Sequence, residues 1–182
     1  MSSKQQSSIG KGYIQVYTGN GKGKTTAALG LAFRAMGYGL KTYIGQFMKG
    51  QVYGELKASR AVFPSIIIEQ YGKRTLMHVE DVPESDDVEM AKQGLLRARE
   101  LMLSGSYDIV VFDEIITAHF FHLITMDEMI ETINIKPPNV ELIFTGRYAP
   151  PQLITMADLV TEMKEVKHYY QRGVKARNGI DR

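Results

Sequence analysis

The sequence contains no cysteine and no tryptophan. Without cysteine there can be no disulfide, no thiolate nucleophile and no cysteine-ligated metal, and the chain suits a reducing compartment. An excess of one charge is missing too. Its 22 Lys and Arg against 20 Asp and Glu leave a net +2, which gives no reason to expect nucleic acid or a membrane surface as partner. No apolar run approaches the roughly 18 residues of a membrane span. The opening "MSSKQQSSIGKG" lacks the apolar core of a secretory signal, so a cytoplasmic location is expected. Nothing divides the chain: there is no repeat, no Pro/Gly-rich linker and no shift in composition. Residues 1–11 read as a flexible tail and 12–182 as one domain, long enough for a buried core.

What is present is concentrated in "YTGNGKGKTTAALG", Tyr17 to Gly30. A loop that holds phosphates needs backbone N–H groups aimed inward, which calls for glycines free of φ restriction. It also needs a helix N-terminus behind the anion, a lysine to neutralise charge and a hydroxyl for Mg²⁺. Gly19, Gly21 and Gly23, followed by Lys24 and Thr25, supply these parts in order. The general pattern G-x-x-x-x-G-K-[ST] asks for glycine at position 18, where this chain has Thr18. A Rossmann reading fails, because the third glycine comes one place early and Lys-Thr follows it.

The strand before the loop reads as "GYIQVYT", Gly12 to Thr18, and an Ala-rich helix runs from about Lys24 to Met36. Further strands are expected at Lys41–Phe47, Ser65–Tyr71, Tyr107–Glu114 and Val140–Arg147, with a last one at Asp158–Met163. Asp86 and Glu89 have capping-box spacing ahead of a helical repeat of Val88, Ala91, Leu95, Ala98 and Met102, closed by Gly105. Thr125 and Glu128 form a second box, starting a helix that must stop before Pro137-Pro138. A short helix follows Pro150-Pro151. Strands apolar throughout and alternating with helices predict an α/β fold with a mostly parallel central sheet and helices on both faces. In such sheets ligands bind beyond the C-terminal strand ends. The glycine loop, Asp113-Glu114 and Thr145-Gly146-Arg147 all fall there.

A carboxylate at the tip of "IVVFDE" can hold Mg²⁺ directly or through water. In an ordinary ATPase or small-molecule kinase Glu114 would orient the attacking water or hydroxyl. A nucleotide-dependent switch would need the phosphate loop alone. His119 and His122 are three apart, but no third ligand accompanies them, so "HFFHLI" reads as a packed helical segment. The acidic run Glu80 to Glu89 reads as a solvated loop with a helix cap.

Taken together, "GYIQVYTGNGKGKTTAALGLAFRAMGYG", "QFMKG" with Gly54-Glu55 after it, "VVFDE", "IFTGR" and "EVKHYYQRGVKARNGID" resemble the phosphate-loop cob(I)alamin (ATP:corrinoid) adenosyltransferases. The resemblance runs from about Gly12 to Asp181, and Thr18 is what that family's "TGNGKGKTT" carries. It implies a RecA-like phosphate-loop fold, a homodimer, and transfer of the 5′-deoxyadenosyl group of ATP to the cobalt(I) of a reduced corrinoid. A reduced flavoprotein commonly serves as electron donor in that family. Carried over by motif, Gly19, Asn20, Gly21, Lys22, Gly23, Lys24, Thr25 and Thr26 would hold the nucleotide. Arg34 would lie near the nucleoside or its phosphates, and Arg147 near the triphosphate. Lys24 and Glu114 would act in catalysis, with Thr25 and Glu114 on Mg²⁺. Between Tyr71 and Asp87 the family often places a Phe–Trp pair facing the corrinoid. Here Tyr71, Leu76, Met77 and His78 are the alternatives, and the N-terminal segment is expected to order over the site.

Overall fold

The computed structural model describes residues 9–73 and 83–181. Leu76, Met77 and His78 lie outside them. Six parallel strands form one sheet in the order β3-β2-β4-β5-β1-β6. They are β1 (Ile14–Thr18), β2 (Thr42–Phe47), β3 (Ile66–Tyr71), β4 (Ile109–Asp113), β5 (Glu141–Thr145) and β6 (Leu159–Glu162). The expected α/β architecture is therefore present, with the parallel rule holding for every described strand pair. The loop strand β1 and the acidic strand β4 are separated by β5, in a RecA-like phosphate-loop sheet.

Apolar strands reflect burial on both faces. Along β4, Ile109 and Val111 join α1 (Lys24–Met36) through Ala28, Ala32 and Ala35. Val110 and Phe112 point the other way, toward Leu95, Ala98 and Met102 of α3 (Ser85–Leu103). On that face Phe112 stacks between Phe47 and Phe144, with ring centroids 6.2 and 5.4 Å apart. The small residues of α1 let it lie close under β2, β3, β4 and β5 as it crosses from β1 to β2. Gly94 of α3 serves the same end: a Cβ there would sit 2.5 Å from the Tyr71 ring.

One expectation about a helix end comes out differently. The box that opens α3 is one turn fragment earlier, with Glu84 as N-cap and Asp87 at N3, whose Oδ2 accepts from the Glu84 N–H at 3.1 Å. Asp86 and Glu89 have the right spacing, but Asp86 already lies inside the first turn. The second box is as expected: Thr125 caps α5 (Met126–Asn134) reciprocally with Glu128. Two further short helices are α2 (Gly54–Ala61), which has no counterpart among the expected elements, and α4 (Ile115–Phe120), which overlaps the expected "HFFHLI" helix only at His119 and Phe120. The expected short helix is α6 (Pro151–Met156). The "HFFHLI" segment is not one packed helix. α4 stops at Phe120, His122 turns left-handed at φ 59°, and both histidines line a surface cavity. The Nδ1–H of His119 donates to the Ile124 carbonyl at 2.9 Å, so that nitrogen serves the local turn.

Candidate active site

The glycine loop closes between β1 and α1 at the C-terminal rim of the sheet. Gly19 (φ 95°) and Gly23 (φ 126°) take conformations that other residues avoid. Glycine is also demanded by contact: a Cβ on Gly19 would lie 2.4 Å from the Met163 carbonyl oxygen. The Gly21 N–H donates to the same oxygen at 2.7 Å, so the loop leans on the chain just past β6. Thr18, the departure from the general pattern, has a definite job here. Its buried Oγ1 accepts from the Ala149 N–H at 3.2 Å and ties the loop's first residue to the segment after β5.

α1 begins without a capping side chain and without an acidic residue in its first turn. α3 and α5 carry both a capping box and acidic first turns. The orphan N–H groups and positive dipole end of α1 are therefore left for an external anion. Lys24 stands at this end, buried, its Nζ donating to the carbonyls of Gly19 at 2.7 Å and Gly21 at 2.8 Å. Burial lowers its pKa below the ordinary lysine value, Glu114 opposing and Arg147 adding to the shift.

The second half of the site converges on Asp113, which the sequence alone does not separate from Glu114 as the carboxylate that would meet the metal. Asp113 is fully buried at the end of β4. Its Oδ1 accepts from Thr25 Oγ1 at 2.9 Å and Thr145 Oγ1 at 2.7 Å. Its Oδ2 accepts from Lys49 Nζ at 2.7 Å and Gln46 Nε2 at 3.2 Å. Lys49 is a functional residue that was missed. Burial opposes its charge, but Asp113, then Glu114 and Glu55, outweigh this and hold its pKa above the ordinary value. Its only sequence signal was its place two residues past a strand end, in "QFMKG".

Glu114 is adjacent but differently held. It is the left-handed N-cap residue of α4 (φ 63°), its N–H donates to Thr145 Oγ1 at 2.9 Å, and its Oε2 accepts from Thr117 Oγ1 at 2.5 Å. The direct link to Thr25 thus belongs to Asp113 rather than Glu114. Thr117 Oγ1 in turn accepts from the Arg147 N–H at 3.0 Å, fixing Arg147 at the cavity wall.

Part of this network lines one cavity of about 730 Å³. Asn20, Gly21, Lys22, Gly23, Lys24, Thr25, Thr26, Glu114 and Arg147 are all on its wall, as are Lys49, Tyr53 and Glu55. Arg34 is not. It lies in the last turn of α1, ten residues beyond Lys24 and so roughly 15 Å along the helix. There it lines a separate cavity with Gln15 and Glu141. Helical periodicity could not have placed it at the rim.

The outer wall of the 730 Å³ cavity is the C-terminal segment. His168, Tyr169, Tyr170, Val174, Ile180 and Asp181 all face it. Lys22 is the anchor: its Nζ donates to Asp181 Oδ1, to the Ile180 carbonyl at 2.9 Å and to Tyr169 Oη at 3.2 Å. The Tyr169 hydroxyl also donates to Asp181, and the Arg177 guanidinium lies 4.8 Å from the Tyr169 ring centre. Tyr71, one candidate for the corrinoid face, ends β3 with its hydroxyl 2.6 Å from Glu69 Oε2 and 3.0 Å from the Tyr43 hydroxyl, to which it is committed.

An anion clamp with a buried Asp–Thr pair and a wide outer chamber fits several phosphate-loop chemistries, and comparison with known proteins separates them. The model of the family described as ATP:corrinoid adenosyltransferase BtuR/CobO/CobP matches residues 10–181. This chain belongs to that family. It is 34% identical over 172 residues to the corrinoid adenosyltransferase of Escherichia coli strain K12, covering 94% of this chain and 86% of that protein. Against the Pseudomonas aeruginosa corrinoid adenosyltransferase the identity is 32% over 172 residues, covering 94% and 84%. Against corrinoid adenosyltransferase CobA of Salmonella typhimurium it is 34% over 172 residues, covering 94% and 86%.

Proposed function

We propose that this chain transfers the 5′-deoxyadenosyl group of ATP to the cobalt(I) of a reduced corrinoid. The observation that carries the reading is the union of family membership with a phosphate-holding loop whose cavity extends well past the phosphates. In the transfer, the cobalt(I) electron pair forms a bond to the ribose C5′. The bond from C5′ to the α-phosphate oxygen breaks, and triphosphate leaves with that pair. Cobalt rises formally from +1 to +3, so no other oxidant or reductant takes part in this step. Because cobalt is the nucleophile, the protein needs no serine, cysteine or general base. Its task is to orient C5′, exclude water and stabilise the charge gathering on triphosphate.

The residues divide that task. Loop amides from Gly19 to Lys24 and the N-terminus of α1 surround the anion, with Asn20 and Thr26 at its edge. Lys24, now held by loop carbonyls, turns its ammonium to the leaving triphosphate, and Arg147 closes the opposite wall. The donor set suits Mg²⁺, which favours hard oxygens and takes few protein ligands alongside phosphate. Thr25 would hold it, with Asp113 fixing the Thr25 hydroxyl and Glu114 reaching it directly or through water. Bound there, Mg²⁺ supplies charge neutralisation to the triphosphate.

A homodimer, a reduced flavoprotein as source of cobalt(I), and a cytoplasmic location belong to the same reading. Among the described residues no helix is long and apolar enough to cross a membrane. The test is to mix protein, Mg-ATP and chemically reduced cobalamin and to follow the visible spectrum and the phosphate products. A light-sensitive alkylcorrinoid with stoichiometric triphosphate is expected. ADP or phosphate as the sole nucleotide product would instead mark an ATPase or kinase.

A further inference from the structure

The Thr25 hydroxyl and the Asp113 carboxylate, which prepare the metal site in the reading above, already carry a cation of the protein's own. Lys49 Nζ donates to Asp113 Oδ2 at 2.7 Å and to Thr25 Oγ1 at 3.3 Å. Lys24, the neighbouring buried lysine, gives its ammonium to loop carbonyls, so of the two it is Lys49 that pairs with a carboxylate. Further negative charge stands beside it. Gln46 Nε2 bridges Asp113 Oδ2 at 3.2 Å and Glu55 Oε1 at 3.1 Å, and Glu55 and Glu114 share the cavity wall with Lys49.

The backbone around Lys49 is built for this reach. β2 ends at Phe47, the Met48 N–H donates to the Tyr71 carbonyl at 3.0 Å, and Met48 then takes left-handed backbone (φ 56°). The turn is pressed against the chain just past β3. A Cβ on Gly50 would lie 2.2 Å from the Gly72 carbonyl oxygen, and one on Gly72 would lie 2.5 Å from the Lys49 nitrogen. Such contact leaves the turn no room to shift, and strain at a non-glycine residue beside a polar cluster persists where position matters. A solvated surface lysine needs neither. The ammonium also has a second seat on the same wall, the Tyr53 ring, whose centre is 5.6 Å from Nζ.

Resting on the assignment of Thr25 to Mg²⁺, we propose that Lys49 is a built-in counter-ion that bars a free divalent cation from this site and admits the metal only together with a polyphosphate. An ion on the Thr25 hydroxyl, at the Mg–O distance of about 2.1 Å, would lie within about 5.5 Å of Nζ. Like charges that close, in a partly buried site, oppose each other strongly. The triphosphate brings enough negative charge to hold the metal, Lys24 and Lys49 together, so its arrival removes the penalty. The chain thus takes up the metal–nucleotide complex rather than the metal first. Lys49 is a positioning residue in this account: it sets when the metal binds and takes no part in bond making.

The experiment titrates Mn²⁺ against the full chain by electron paramagnetic resonance, alone and with inorganic triphosphate, and follows the thermal midpoint in parallel. Without triphosphate, Lys49→Met should bind Mn²⁺ roughly tenfold or more tightly than the unmodified protein, the scale on which one charge within about 4–6 Å shifts an ionic equilibrium. Mn²⁺ alone should then raise the thermal midpoint of Lys49→Met and leave that of the unmodified protein level. Lys49→Arg, which keeps the charge, should behave like the unmodified protein, and adding Thr25→Ala to Lys49→Met should abolish the gain. Equal Mn²⁺ affinity with and without the lysine, or a gain that survives Thr25→Ala, overturns the proposal. Should Lys49→Met not fold, the unmodified chain decides: Mn²⁺ bound as tightly alone as with triphosphate overturns it as well. The transfer assay on the same preparation separates the two readings. No alkylation of reduced cobalamin, with the Mn²⁺ results as expected, overturns the transfer and leaves the counter-ion standing.

Discussion

Thr25 Oγ1 donates to Asp113 Oδ1 at 2.9 Å, joining the start of α1 to the end of β4 across 88 residues of sequence. On its other oxygen Asp113 accepts from Lys49 at 2.7 Å, and Asp113 is fully buried while the Lys49 side chain is 16% exposed. Removing one charge of such a pair leaves the other uncompensated, at about 3–5 kcal/mol. Asp113→Asn is therefore expected to lower the thermal midpoint markedly as well as the transfer rate. Adding Lys49→Met should recover part of the stability but none of the rate, since the Thr25 hydroxyl stays unfixed. Calorimetry on the single and double variants checks this. If the second substitution deepens the loss of stability, the pairing is not what makes Asp113 matter.

Lys24→Ala should reduce transfer by roughly 100-fold or more, the scale for losing a preorganised group aimed at developing charge. The pH dependence has a defined sign. Burial lowers the Lys24 pKa below 10.5, so the ammonium is lost earlier than in an ordinary lysine. The alkaline limb of kcat/KM, which reports the free enzyme, should fall at correspondingly lower pH. Lys24→Arg should remove that limb even if it is slow. Stability runs the opposite way in the same window. The unfolded chain there binds more protons, so Lys24 contributes rising stability with pH until both states are neutral. An unchanged limb in the arginine variant would assign the titration elsewhere.

Most of this site could be read from the sequence because the loop is local. Glycines, lysine and hydroxyl occur consecutively, and strand–loop–helix context follows from patterns a few residues long. The apolar strands were legible for the same reason, and their uniform hydrophobicity announced a sheet covered on both faces. What escaped depends on tertiary placement. Lys49 is marked only by its place just past a strand end in "QFMKG"; the pairing of β2 with β4 is what brings it to Asp113. Asp113 and Glu114 look equivalent at a strand end, yet the first closes a strand buried along its whole length and the second sits half-buried on a left-handed turn. Arg34, which the resemblance puts near the nucleoside or its phosphates, lies in the last turn of α1 and lines a separate cavity. The α3 cap slipped because the acidic run offers more than one Asp/Glu pair at the right spacing.

Gly19→Ala should be among the most damaging single-methyl changes. The added Cβ meets backbone, the Met163 carbonyl at 2.4 Å, and φ of 95° is strained for alanine whatever the space. A loss of about 1–3 kcal/mol is expected from the backbone conformation alone. Nucleotide binding should fall further, because relieving the clash moves the loop amides. Gly30→Ala is the control: its Cβ meets nothing within 4 Å and it sits inside α1, where alanine is the better helix former. Thermal melts and nucleotide titrations of the two variants should diverge in opposite directions.

The C-terminal wall offers the last prediction, because the contact that closes it is ionic. Of the two loop lysines, Lys24 bonds the carbonyls of the loop itself, whereas Lys22 places its ammonium on Asp181, Tyr169 and the Ile180 carbonyl. Its hydrogen bond to Asp181 raises its pKa above 10.5, and the same bond, with that from Tyr169, holds Asp181 below the usual carboxylate value of 3.8. For Asp181 the contribution is present above the unfolded pKa and lost as pH falls through the lower folded value; for Lys22 it is present below 10.5 and lost as pH rises through the higher folded one. Docking of residues 168–181 should consequently be level across neutral pH and persist into acid that would neutralise an ordinary aspartate. Asp181→Asn should release the segment at every pH, freeing the backbone around the already exposed Lys167, Arg172 and Lys175 for cleavage by trypsin and raising the KM for ATP more than it lowers kcat. Proton resonances of the Tyr169 ring, followed from pH 2 to 7, would report the same event. A midpoint at the ordinary carboxylate value, or unchanged trypsin resistance in Asp181→Asn, would mean that something other than Lys22 keeps this wall closed.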